Sequence, residues 1–260
     1  SPQIDNIIKL MAFKKWLAVQ NYSTIYLVTS NSELIEALVL LTNKLNISFN
    51  YRKFKSKKKQ NGLLRRVYLR LPNIAKSLVW LTNYLIVRWP LKGVGIKGWR
   101  SSYGSIAFVS YFINFDKHSL KEGYFKSAYW PELPKLLERN KLQSNWLHIY
   151  IKSDLIQTAS KAKRILQKFN ESSNGMQNHV VIESFLSFNI VYRAIKNYYK
   201  LTLLKKTFEN NFEERCEYLW PLIKSDLRES LTGVVALSNL LNYELFNKAF
   251  SILPTQKKGF

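Results

Sequence analysis

Five short apolar runs, each separated from the next by a segment of helical period, constrain this chain more than any other feature. The first, TIYLVT at Thr24–Thr29, is rich in β-branched and aromatic residues. Such a run suits a strand buried in a parallel sheet. Leu34, Ala37, Leu38 and Leu41 then share one face of a helix over 33–45, with Asn31 or Ser32 as its N-cap. NISFNY at 46–51 reads as the second strand, completing a βαβ unit. The alternation resumes with SIAFVSY at 105–111, NWLHIYI at 145–151 and HVVIES at 179–184. Helices are expected over 6–19, in WPELPKLLERN after its prolines, after Thr158, and over 185–204. The predicted fold class is α/β, a Rossmann-like, mostly parallel, doubly wound sheet flanked by helices. Residues 207–253 read as helical, broken near Pro221 and Gly233. The expected organisation is an α/β lobe over 1–205 and a helical segment over 206–260. A start at Ser1 and an end in LPTQKKGF predict a fragment of a longer protein.

Charge narrows the partners. The net charge is +23, and from Ala37 to Phe115 there are 15 Lys and Arg with no Asp or Glu. The densest part is YRKFKSKKK at 51–59. Such a field attracts nucleic acid, anionic lipid, or a nucleotide and diphosphate-bearing substrate. No nucleic-acid motif is present, so nucleic acid is the less favoured partner. Residues 63–87 read as helix interrupted near Pro72, mixing Arg65, Arg66, Arg70 and Lys76 with Leu, Val, Trp80 and Tyr84. That composition fits a helix on an anionic membrane surface. It equally fits a helix on the sheet with snorkelling basic side chains. The single cysteine, Cys216, excludes a disulfide framework and reads as a small core residue. The best apolar run, SLVWLTNYLIV at 77–87, is too short to span a bilayer and contains Asn83. With no signal-peptide pattern, the expected location is the cytoplasm.

Most chemical motifs are missing. GVGIKG at 93–98 matches G-x-G-x-x-G, but Trp89-Pro90 precedes it and a strand follows, so a flexible basic connector is expected there. The aspartates Asp5, Asp116, Asp154 and Asp226 form no D-x-D, and His118, His148 and His179 lack metal-ligand spacing. His148, within a strand, reads as a hydrogen-bonded core residue. No metal and no cofactor are expected. Ligands of open parallel sheets bind beyond the carboxyl ends of the strands. Those ends carry Thr29, Ser30 and Asn31; Tyr111, Asn114 and Asp116; Ser153 and Asp154; and Glu183 and Ser184. The stretch 110–130, SYFINFDKHSLKEGYFKSAYW, holds seven aromatic residues among 21. Aromatic faces beside amides and carboxylates suit sugar rings. Tyr111, Asn114, Tyr129 and Trp130 are therefore candidate substrate contacts, with Ser30 and Asn31. Asp116 is the candidate general base towards a sugar hydroxyl. Its alternative role is a turn cap for 118–120. Lys126 and Arg100 are candidate phosphate holders, with solvated surface as the alternative.

WPLKGVG, IAFVSYFINFD, GYFKSAYWPELPKLL and NWLHIY together resemble a family of bacterial surface carbohydrate biosynthesis proteins. Its members are assigned as glycosyltransferases of surface polysaccharide or O-antigen clusters. The resemblance runs from about Trp89 to Phe260 and is densest over 110–150. It implies the N-terminal, acceptor-side lobe of a two-lobed GT-B-like enzyme whose donor lobe lies outside the chain. It also implies a nucleotide-sugar as substrate and a glycan or lipid-linked acceptor. The lack of D-x-D fits a metal-independent transferase. The fragment alone is then expected to be inactive. The competing readings are a basic nucleic-acid-binding module and a non-catalytic membrane-docking lobe.

Overall fold

The computed structural model describes residues 2–20, 22–54, 63–102, 106–215, 217–255 and 258–259. Cys216 and the lysines of 55–59 lie outside the described residues. In chain order the elements are α1 (Pro2–Leu17), β1 (Thr24–Thr29), α2 (Ser32–Lys44), β2 (Ser48–Lys53), α3 (Leu63–Arg70), α4 (Asn73–Arg88), α5 (Ile96–Ser101), β3 (Ile106–Tyr111), α6 (Ser119–Glu122), α7 (Leu133–Arg139), β4 (Ser144–Ile149), α8 (Ala159–Ser172), β5 (Gln177–Val181), α9 (Phe188–Leu203), α10 (Lys205–Arg215), α11 (Trp220–Thr232), α12 (Val234–Ser251) and β6 (Lys258–Gly259). The protein is α/β with parallel sheets, as the alternation predicts. Its residues group into two compact units, Ser1–Leu78 with Tyr198–Ala236, and Val79–Asn197 with Leu237–Phe260. The residue 205/206 division expected from sequence falls at the start of α10.

The first unit holds the βαβ motif. β1 and β2 pair in parallel, with Leu27 opposite Tyr51. Asn31 caps α2 by accepting from the backbone N–H groups of Glu33 and Leu34, at 3.0 and 3.1 Å. Ala37, Leu38 and Leu41 of α2 pack with Leu10, Leu219 and Leu222, and Leu27 and Phe49 lean on this cluster. TIYLVT lacks polar alternation and so predicts burial on both faces. Instead Tyr26 is 64% and Val28 45% exposed. Period two puts them opposite Ile25 and Leu27, on the face away from α2.

The single five-stranded sheet expected from sequence is two sheets, because β1 and β2 pair only with each other. In the second unit the order is β5-β4-β3-β6, all parallel. The two-residue strand β6, which pairs with Ile106 and Ala107, escaped the sequence reading. Phe108, Trp146 and Val181 meet Ala162, Ile165, Leu166 and Phe169 of α8 on one face. Leu147 and Val180, on the other, are also fully buried.

GVGIKG is not a flexible connector. After a 3-10 turn, Trp89–Leu91, it enters α5, which lies against the edge strand β5. Gly95 has φ +73°, and a Cβ there would lie 2.3 Å from the His179 carbonyl oxygen. A Cβ on Gly98 would lie 2.3 Å from Asn178 Oδ1. The two glycines let the backbone approach the strand closely; their spacing reflects packing.

Candidate functional site

The carboxyl edge of the four-stranded sheet carries the polar groups that sequence and topology single out. After β3 the chain folds back on itself. Phe115 and Ser127 form an isolated antiparallel bridge. The Asp116 N–H donates to the Lys126 carbonyl at 2.9 Å, and the Ala128 N–H to that of Asn114 at 3.1 Å. Phe112, Phe115 and Phe125, each at most 3% exposed, pin this loop into the core. Tyr124 donates to Glu138 Oε2 at 2.9 Å. Only Tyr111, Tyr129 and Trp130 keep exposed rings. Three of the seven aromatic residues of 110–130 are therefore core, which alternating polar residues conceal in a linear reading.

Asp116 and Lys126 are brought together, while Asn114 joins the hairpin through its backbone carbonyl. Asp116 Oδ1 accepts from the His118 N–H at 3.0 Å, the turn-cap role, and Oδ2 lies 3.9 Å from Lys126 Nζ. Trp130 packs beside Phe108 and Tyr129, with ring centroids 6.4 and 6.2 Å away. Arg100 is exposed on α5. Exposed Ser30 and the capping Asn31 belong to the first unit, at the end of β1.

Beyond β4 and β5 lies a cluster that the sequence candidates omit. Glu183, two residues past β5, is 2% exposed. Its Oε1 accepts from Arg88 Nη1 at 3.0 Å and from the Tyr84 hydroxyl at 3.3 Å. Arg88 also donates to the Tyr150 carbonyl at 2.8 Å, and its guanidinium lies 4.1 Å from the centre of the Tyr150 ring. Glu183 Oε2 has no hydrogen-bond partner. Burial pushes the Glu183 carboxyl above the ordinary range, and Arg88 opposes that shift. Burial, then the Glu183 charge, pushes the Tyr84 hydroxyl up, so it remains a neutral donor. Enclosed and clamped in this way, the carboxylate ties α4 to the carboxyl ends of β4 and β5. Glu183 was visible from sequence as a strand-end residue without a role. Arg88 had one signal: it closes an uncharged helical run, 77–87, and a cation so placed needs a partner.

Beneath the hairpin runs a buried polar chain. His148 Nε2 lies 3.0 Å from His179 Nδ1, and His179 Nε2 lies 3.0 Å from Gln177 Oε1. Gln177 Nε2 donates to the Tyr124 hydroxyl at 3.0 Å and to Glu138 Oε1 at 2.9 Å. The two imidazoles stack within 7° of parallel, walled by Phe125 and Trp146. Burial lowers His148 from its ordinary 6.5 to about 3. His179 is lowered by burial and then by His148. This fits the core role expected of His148.

Elsewhere, a groove of about 620 Å³ between α1 and β1 is lined mainly by apolar residues such as Leu10, Phe13, Trp16 and Ile25, and brings no carboxylate. Among the described residues, no three or more His, Cys, Asp and Glu side chains converge to hold a metal ion. No helix among them is long and apolar enough to cross a membrane. No family model, curated protein or solved structure matches the chain.

Proposed function

We propose that this chain is the acceptor-side lobe of a GT-B-like, metal-independent glycosyltransferase of bacterial surface polysaccharide assembly. The donor is a nucleotide-sugar, consumed as substrate, and the acceptor is glycan- or lipid-linked. The observation that carries the reading is the carboxyl edge of the parallel sheet. There, a hairpin exposes the aromatic faces of Tyr111, Tyr129 and Trp130 beside the half-exposed Asp116 and Lys126, and the buried Arg88–Glu183 clamp braces the same edge. Aromatic faces suit the C–H patches of a sugar, carboxylates suit its hydroxyls, and a lysine suits a phosphate. In this reading Tyr111, Tyr129 and Trp130 line the acceptor, Asn114 and Asp116 engage its hydroxyls, and Lys126 faces a phosphate. α3 supports a membrane-bound acceptor, since it exposes Val67 and Leu69 among Arg65, Arg66 and Arg70.

The test is transfer of labelled sugar from UDP-, GDP- and dTDP-sugars to lipid-linked acceptors in membranes, by the enzyme that carries this chain. Asp116→Ala is expected to lower turnover by roughly 10²-fold and Trp130→Ala to raise the KM for the acceptor by about tenfold. Near-normal kinetics in both Asp116→Ala and Trp130→Ala remove this edge from the reaction. No transfer by the wild type from any of these donors overturns the transferase reading.

A further inference from the structure

The end of α4 and the start of α9 form an aromatic surface within the unit of Val79–Asn197 and Leu237–Phe260. The rings of Trp89 and Phe188 meet with centroids 5.4 Å apart. Lys92 Nζ stands over both, 4.7 Å from the centre of the Trp89 ring and 5.7 Å from that of Phe188. Phe188, Tyr192 and Ile195 follow at i, i+4 and i+7, which puts them on one face of α9. That face meets water: Phe188 is 78% and Tyr192 63% exposed. Ile86, in the last turn of α4, is exposed as well. Ile190 and Ala194 hold the opposite face of α9 in the core. Single exposed apolar residues are ordinary, whereas a contiguous patch marks an interaction site.

The charges around the patch say what covers it. α9 carries Arg193, Lys196 and Lys200 and no Asp or Glu. The segment that brings Ile86, Trp89 and Lys92 also lacks acids, from Ala37 to Phe115. Lys92 and Lys196 are both exposed. The core of a protein interface is depleted in lysine, yet here a lysine stands over two of the aromatic rings. The headgroup layer of a bilayer favours this combination. Trp and Tyr settle at its depth, Phe enters the acyl boundary, and lysine stems lie along apolar surface while their ammonium groups reach phosphate. We infer that this surface docks on an anionic bilayer, with Phe188 and Tyr192 entering the headgroup layer and Lys92 and Lys196 meeting lipid phosphates. The inference is independent of the transferase reading, because vesicle binding needs no turnover.

The experiment is co-sedimentation with vesicles of phosphatidylcholine and with vesicles of an equimolar mixture of phosphatidylcholine and phosphatidylglycerol. The wild type is expected to bind the mixture about tenfold or more tightly than phosphatidylcholine alone. A net charge of +23 draws the protein to anionic vesicles whichever face it presents, so the deciding variants leave charge unchanged. Phe188→Ser combined with Tyr192→Ser is expected to weaken binding to the mixture about tenfold or more. Tyr192→Ser alone, which spares the contact between Trp89 and Phe188, is expected to weaken it about threefold. Binding unchanged in both variants, or of equal strength to the two kinds of vesicle, overturns the proposal. So does a dimer in light scattering that the double variant dissociates, because a second copy of the chain then covers the face.

Discussion

At the scale of single residues the Arg88–Glu183 pair is the sharpest feature. Both side chains are largely withdrawn from water, so removing one partner leaves a buried charge that little else compensates. Arg88→Met is expected to destabilise the protein by about 3–5 kcal/mol in urea unfolding. The double variant Arg88→Met, Glu183→Leu is expected to recover most of that loss. A single-variant cost under about 1 kcal/mol would show that the pair is solvated. Sequence made the edge residues nameable, because strand ends follow from the apolar runs. It left Arg88 and Tyr84 out because they sit on α4, before the sheet that brings Glu183 to them. Asp116 shows the opposite case: both its roles were legible, and the turn-cap contact is present without disposing of its second oxygen.

Whole elements were legible where one period dominated. α2, α8 with Thr158 accepting from the Lys161 N–H at 3.2 Å, and the α3/α4 break at Pro72 all follow from caps, spacing and proline. α5 was hidden because two glycines and a flanking proline resemble a loop until β5 is present to explain them. Gly95→Ala combines a positive φ with a clash against backbone, and its expected cost is about 2–4 kcal/mol by urea unfolding. Gly98→Ala meets the Asn178 side chain, which can turn aside, so its expected cost is smaller. Equal, negligible losses at both sites would mean that α5 does not pack closely on β5. The partition of 110–130 between core and surface was also illegible. Alternating aromatic and polar residues within a hairpin specify neither face until the bridge between Phe115 and Ser127 sets the register.

For the molecule as a whole, the split into two sheets could not be read from strand patterns, since a βαβ unit looks alike whether or not its sheet continues. The histidine pair gives the whole fold a pH dependence. Both imidazoles stay neutral in the native state, whereas in the unfolded chain they protonate below about pH 6.5. The unfolded state then binds more protons, so their contribution is fully present above pH 6.5 and is lost as pH falls towards the native values. Glu183 runs the other way: its raised carboxyl makes burial less costly as acid protonates it. Unfolding free energy is expected to fall between pH 7.5 and 5, with a limiting slope of about 1.4 kcal/mol per pH unit for each histidine. A flat profile over that range would place the imidazoles in contact with water. The same chain also fixes where its hydrogens lie. Glu138 accepts from the Gln177 amide nitrogen, which turns the amide oxygen towards His179 and requires a hydrogen on His179 Nε2. His179 Nδ1 is then bare and must receive from His148 Nε2, leaving His148 Nδ1, the atom without a partner, as a lone pair facing aromatic rings. A single acid outside the sheet thereby dictates the tautomer of two imidazoles inside it, and the polarity of the chain runs one way from core to Glu138.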